Sequence, residues 1–392
     1  MTAPGSADAD RVARLAVALA GVARGERTYM EVCGTHTMAV SRFGLRDLLP
    51  PGVRLVSGPG CPVCVTAVGD LDVVVALARL PGVAIATFGD LVRVPSSRSS
   101  LARERAAGAD VRVVYSPADA VELAAAEPDR QFVLAGIGFE TTAPTVAGAL
   151  LLARERGLAN FSVLSMHKTM PGALRALLDS GESRIDGFIL PGHVSVVTGS
   201  DCYRFLPDEY GIGGVVAGFE ADDVLEALVM LARQRRPAIE IGYRRAVTAA
   251  GNRVAQQLLA RVFEPCDAVW RGLGAIPGSG LRLSDEFREY ATEERFAVDP
   301  GTPVEPAGCR CGEVLRGLID PPQCALFGRR CTPETPVGAC MVSSEGSCAA
   351  HYRYRAIDAD VGDAANRVEP PGAATDAGTG DAATHGPAAA DA

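Results

Sequence analysis

The chain has 392 residues, 48% of them hydrophobic, and a formal net charge of −9. That length accommodates two or three domains with real cores. The acidic balance argues against a general nucleic-acid binder, which needs a basic surface for phosphate, and no apolar run reaches the ~18 residues of a helical membrane span. The opening stretch MTAPGSADADRVARLAVALA brings acidic residues early and lacks a signal-peptide layout, so a reducing, cytoplasmic setting is expected.

Short β-rich runs recur at 28–33, 53–57, 83–88, 111–115, 131–137, 161–166, 187–190 and 213–218. Ala- and Leu-rich helical patterns lie between several of them, at 66–80, 117–127, 143–157, 171–180 and 221–236. Continuous apolar strands spaced by amphipathic helices argue for an α/β fold whose parallel sheets are covered on both faces. Two consecutive Rossmann-like parallel-sheet domains fit this pattern, at 25–127 and 128–298, with the break at Glu127-Pro128-Asp129. The tripeptide GFE follows a strand twice, at 138–140 and 218–220, too short a match to establish an internal repeat.

The loops after the strands carry the chemistry. Open α/β sheets bind ligands beyond the carboxyl ends of their strands, where this chain has CGTHT (33–37), GPGCPVC (58–64), GIGFETTAPT (136–145), MHKTMP (166–171) and LPGHVSVVTG (190–199). Glycine and proline in such loops also serve simply as turn residues; their shared placement is what suggests one cleft. Cys33 and His36, three residues apart, suit either a pair of metal ligands or a nucleophile with its base. Cys61-Pro62-Val63-Cys64 lies between a strand and a helix, where the helix N-terminus favours a thiolate. A redox-active dithiol is the preferred explanation, with half a zinc site or a structural cysteine pair as alternatives. Nucleotide motifs are weak: GIGFETT lacks the third glycine of a dinucleotide fingerprint, and no GxxxxGK[ST] occurs.

Six of the eleven cysteines fall between Cys309 and Cys348, in a segment (299–349) rich in Pro and Gly and poor in apolar runs. Such a segment cannot order itself by collapse alone. Clustered thiolates point to a metal centre; a disulfide framework competes, but belongs to small secreted domains. Residues 361–392 carry Asp363, Glu369, Asp376, Asp381 and Asp391 against Arg367 alone, without Leu, Ile, Met or aromatics, and read as a disordered acidic tail.

Taken together, EVCGTHT, GPGCPVCV, GFETTAPT, the HKTMP and LPGHVS loops, WRGLG (270–274) and the terminal CGEVLRG to CAA block resemble the hydrogenase maturation factor HypD family over residues ~11–358. The resemblance implies a C-x12-C-x6-C-x16-C cluster pattern, which Cys311, Cys324, Cys331 and Cys348 fit as ligands of one [4Fe–4S] cluster. Cys309, Cys340, Cys202 and Cys266 are left over. It implies a scaffold for the Fe(CN)2CO moiety of the [NiFe]-hydrogenase site. That transient iron is held by Cys33 together with a HypC-type chaperone, and a HypE-type partner delivers cyanide. It also implies that the helix at about 11–24 joins the cysteine-rich domain and that a last strand, about 350–358, returns to the first domain. Cys61 and Cys64 would relay electrons by thiol–disulfide exchange, and His36 would tune the iron site from beside it. Two other classes remain at this level. One is a cluster-dependent disulfide reductase acting through Cys61 and Cys64; the other is an interaction module held together by zinc.

Overall fold

A computed structural model describes residues 6–354. Nine strands build two parallel sheets: β1 (Arg27–Glu31), β2 (Val53–Ser57), β3 (Val83–Thr87), β4 (Asp110–Val113), β5 (Gln131–Gly136), β6 (Phe161–Ser165), β7 (Gly187–Pro191), β8 (Gly213–Ala217) and β9 (Ile239–Ile241). The first sheet runs β2-β1-β7-β8-β9 and the second β4-β3-β5-β6, all in parallel register. A hairpin, β10 (Phe263–Trp270) with β11 (Gly274–Leu283), pairs antiparallel beside them.

The eight strand runs and the five helical patterns read from the sequence all form as expected. β3, β7 and β8 are buried along their whole length, as strands with both faces covered must be. The helix Pro117–Ala126 opens on a capping box in which Ser116 and Asp119 exchange hydrogen bonds, with Pro117 in its first turn, so its start is encoded locally.

The partition into domains differs from the expected one. β3 and β4, assigned to the first layer, pair with β5 and β6, and the first sheet is completed by β7 to β9 from the presumed second layer. The boundary at residue 127 therefore falls inside one sheet. Glu127 ends a helix and accepts the Arg130 N–H across a tight turn into β5, so its Pro-Asp signal marks an ordinary helix-to-strand turn. The second sheet is an insertion between β2 and β7.

The N-terminal helix Ser6–Val22 also sits elsewhere than expected. It lies along the helix Ala221–Arg233 on the outer face of the first sheet. Leu19 is buried there among Tyr29, Leu45, Val215 and Leu228, and Arg11 reaches Asp222 at 2.9 Å and Glu226 at 2.7 Å. A helix with one apolar stripe follows the largest apolar surface within reach, and here that surface belongs to the sheet. In place of the expected strand at about 350–358 the chain is helical over 347–354; residues beyond 354, including the acidic tail, lie outside the described residues. Inward-facing residues of both sheets, such as Val56, Ile85, Val133 and Val216, share one interior with Trp270, Cys311 and Cys340. The cysteine-rich segment is thus packed onto the main core. Among the described residues, no helix is long and apolar enough to cross a membrane.

Candidate functional site

The carboxyl ends of β1 and β2 bring the two cysteine loops side by side. Cys33 caps the helix Gly34–Arg42, and the Gly34 N–H donates to the Gly60 carbonyl at 2.9 Å. A Cβ on Gly60 would fall 2.2 Å from the Cys33 nitrogen, so only glycine permits this approach. Cys61 caps the one-turn helix Pro62–Val65, its sulfur accepts the Cys64 N–H at 3.1 Å, and Cys61 and Cys64 are joined in a disulfide with Cα atoms 5.2 Å apart. The two cysteines of the CPVC loop are therefore bonded to each other.

Around Cys33 the groups are acidic and buried. Burial pushes its thiol up to about 12, reinforced by the Glu345 charge and opposed by the N–H groups of His36 and Thr35. Glu31 is fully buried, accepts Thr37 Oγ1 at 2.7 Å and the Cys33 N–H at 3.3 Å, and is still driven up to about 7 by loss of water. Burial also raises Glu345. A site in which three acids lean towards their protonated forms is one that a cation would reverse, since a coordinated thiol is deprotonated outright.

His36 is buried and neutral, lowered to about 4 by desolvation. Its Nε2 lies 2.8 Å from the Gly218 carbonyl, which can only accept, so the proton sits on Nε2 and Nδ1 is left as a bare lone pair without a hydrogen-bond partner. Phe219 lies between His36 and the exposed His193, with centroid distances of 5.0 and 3.9 Å. The second GFE sequence thus supplies the partner of His36. In the first, Glu140 accepts the Met170 N–H at 3.0 Å through Oε1, while Oε2 finds no partner and burial lifts the carboxyl to about 7. His167 is likewise neutral, its Nδ1 3.0 Å from Ser165 Oγ.

All six cysteines of the C-terminal segment line one narrow pocket, together with Val314, Leu326, Phe327 and Met341. It takes in Cys309 and Cys340, which the family spacing leaves over, along with Cys311, Cys324, Cys331 and Cys348. None of the six is disulfide-bonded, so the disulfide framework does not form here. Hydrogen bonding from Cys309 and Cys340 holds the Cys311 thiol well below its usual range, assisted by the Arg271 charge, while both donors are held high. Among the described residues no three His, Cys, Asp or Glu side chains converge on the position of a single ion. A soft, all-sulfur donor set converging on one pocket fits an iron–sulfur cluster. Cys202 and Cys266 stand apart from the ring; Cys202 lies against Thr198 and the Gly199 carbonyl.

One turn, Ser343-Ser344-Glu345, ties these parts together. Ser343 Oγ lies 3.3 Å from Cys61 Sγ and 3.2 Å from Asp90 Oδ2, which also accepts the Ser344 N–H at 2.9 Å. Glu345 accepts Thr35 Oγ1 at 3.0 Å and covers Gly34, where a Cβ would meet it at 2.5 Å. The short helix Ala339–Val342, carrying Cys340, packs on Pro62–Val65. Sequence reasoning assigned no role to this turn or to the buried Arg271: both lie in the quoted motif blocks, but what they touch is set by long-range packing. A larger open groove lined by Ser200, Arg204, Ile239 and Arg244 contains neither thiol nor imidazole.

Parallel sheets whose strand-end loops present a buried thiol and a disulfide, closed over by a cysteine-ringed pocket, define a thiol-centred α/β protein. The HypD family model, described as the hydrogenase formation hypA family, matches residues 10–355. The chain is 50% identical over 355 residues to the hydrogenase maturation factor HypD of Rhizobium leguminosarum bv. viciae, covering 88% of this chain and 92% of that one. It is 49% identical over 353 residues to that of Azotobacter vinelandii (87% and 93%), and 48% over 332 to that of Escherichia coli K12 (83% and 88%). The chain belongs to the HypD family of hydrogenase maturation factors.

Proposed function

We infer that this protein is the scaffold and redox component on which the Fe(CN)2CO moiety of the [NiFe]-hydrogenase active site is assembled. Cys33 holds the iron jointly with a HypC-type chaperone, cyanide arrives from a HypE-type donor, and Cys311, Cys324, Cys331 and Cys348 hold a [4Fe–4S] cluster. The observation that carries this reading is the Ser343–Glu345 turn, which touches both the Cys33 loop and the Cys61–Cys64 disulfide. An iron ligand, a dithiol and a cysteine ring within one packed neighbourhood suit metal assembly with electron supply. The acidic, buried surroundings of Cys33 suit the ferrous ion itself, and low-spin ferrous iron carrying cyanide and carbonyl prefers a soft thiolate to a carboxylate. Opening the disulfide consumes two electrons and two protons and yields two thiols. A cluster held by the cysteine ring would hand these electrons on one at a time, drawn from an external donor.

A cluster-dependent disulfide reductase is the second reading, favoured by the contact between the ring and the disulfide helix. Infrared spectra of the anaerobic complex with the HypC-type partner separate the two. Under the scaffold reading the wild type shows CO and cyanide bands, and Cys33→Ser loses them, because a hydroxyl is a harder and far less acidic ligand. Cys33→Ser retains the broad absorption near 400 nm expected of the cluster, whose ligands are other cysteines. Full bands in Cys33→Ser sink the scaffold reading.

A further inference from the structure

Arg271 is a buried cation bonded to the end of the disulfide helix, next in the chain to the glycine that abuts the cysteine ring. It stands in the turn between β10 and β11, and that turn is fastened to the end of the disulfide helix. Trp270 forms an antiparallel bridge with Thr66; the Arg271 N–H donates to the Val65 carbonyl at 2.8 Å, and its Nε donates to the Thr66 carbonyl at 3.1 Å. On the other side the next residue, Gly272, with φ of +81°, abuts Gly312, which follows Cys311. A Cβ on Gly272 would fall 2.4 Å from the Gly312 Cα. Two facing glycines therefore let the hairpin tip lie directly on the backbone of the cysteine ring. The guanidinium is thus held against the end of the disulfide helix, with its charge felt at Cys311.

Its side chain is 3% exposed. Neither Nη1 nor Nη2 has a hydrogen-bond partner, and the carboxylate nearest to it, Glu305, is 3.9 Å away and itself largely in water. Arginine cannot relieve such burial by losing its proton, and leaving a buried charge uncompensated is strongly destabilising. Something anionic must balance it, and the cysteine ring is the group beside it able to carry negative charge.

We propose that Arg271 is the buried counter-ion of the metal-loaded cysteine ring and sets the reduction potential of the cluster held there. This rests on the cluster assignment of the preceding section. Reduction places one more negative charge in the ring, and a fixed cation in a poorly solvated position stabilises the more negative state. Arg271 therefore raises the potential, making the cluster easier to reduce and a milder donor to the disulfide its own backbone supports.

The test is an anaerobic redox titration of the full-length, cluster-loaded protein with mediator dyes, read by electron paramagnetic resonance of the reduced cluster. Arg271→Gln is expected to shift the one-electron equilibrium at least about tenfold towards the oxidised form, a fall of about 59 mV. Arg271→Lys keeps the charge while losing the Nε bond, and stays within about threefold of wild type. A purely structural arginine would be moved by both changes in stability and by neither in potential. Should Arg271→Gln fail to fold, Glu305→Gln at its exposed site carries the measurement alone: removing the competing carboxylate shifts the equilibrium the opposite way by about twofold or more. A loaded cluster whose potential ignores these substitutions overturns the proposal and leaves the cluster assignment standing; a wild-type protein that takes up no cluster overturns both.

Discussion

Glu140 offers a test of the site's electrostatics that needs no metal. Its carboxyl is 5% exposed, accepts one N–H, from Met170, and leaves Oε2 bare. Burial lifts it from 4.5 to about 7. A raised carboxyl binds its proton more tightly in the folded state. Its contribution is thus fully present below the unfolded value and lost as pH rises through the folded one. At about 1.4 kcal/mol per unit, the loss from Glu140 alone is about 3 kcal/mol, most of it, some 2 to 3 kcal/mol, falling between pH 5 and pH 8. Glu140→Gln keeps the acceptor for Met170 and cannot ionise. Urea unfolding of both proteins, followed through the single tryptophan, the buried Trp270, should show the variant gaining on wild type by that amount from pH 5 to pH 8. Other titrating groups cancel in the comparison. A difference between the two proteins that stays constant within about 0.5 kcal/mol across that range refutes the reasoning, since it would mean that Glu140 is ionised in the fold at no cost.

Further outcomes follow from packing. Gly60→Ala forces a Cβ against the backbone of Val32 and Cys33, which cannot rotate away; a loss of about 3 kcal/mol or more is expected, with Cys33 becoming open to iodoacetamide under native conditions. Leu19→Ala should cost about 3 kcal/mol in urea unfolding. Arg11→Ala, which removes two partly exposed ion pairs on the same helix, should cost less than about 1 kcal/mol; equal effects would contradict the apolar docking of that helix.

The strands were legible because each is a short apolar run with both faces covered, and the helices because their starts are written in local residues such as Ser116 and Asp119. Strand order was not. β1 and β3 look alike as sequence, and what assigns Tyr29 to one sheet and Ile85 to the other is the path of the chain between β2 and β7, set by long-range pairing. The hairpin went unread because β10 and β11 carry Pro265, Pro277 and several glycines, which demote a strand in any local reading. At the site, Cys33, Cys61 and Cys64 announced themselves by type and spacing. The disulfide between the last two did not, since CxxC spacing is compatible with either redox state. Six cysteines in one segment could be seen to belong together, but not that Cys309 and Cys340 share the cavity with the other four. Arg271 was visible only as part of the WRGLG block, which says nothing of its burial. Its burial comes from the meeting of Gly272 with Gly312, and no local pattern records a contact between residues so far apart.

That the last turn of the fold closes over its first loop has a consequence during synthesis. Thr35 and Glu345, joined by a hydrogen bond, are 310 positions apart. At roughly 5–20 residues per second, a ribosome takes on the order of a quarter of a minute to a minute to travel that distance. Throughout that interval the Cys33 loop exists without its Glu345 cover, and the sheet that carries it waits for an inserted second sheet to emerge before β7 can pair with β1. Order of synthesis thereby becomes a quality control: a chain truncated anywhere before Glu345 leaves Cys33 without that cover and lacks Cys348 of the cysteine ring.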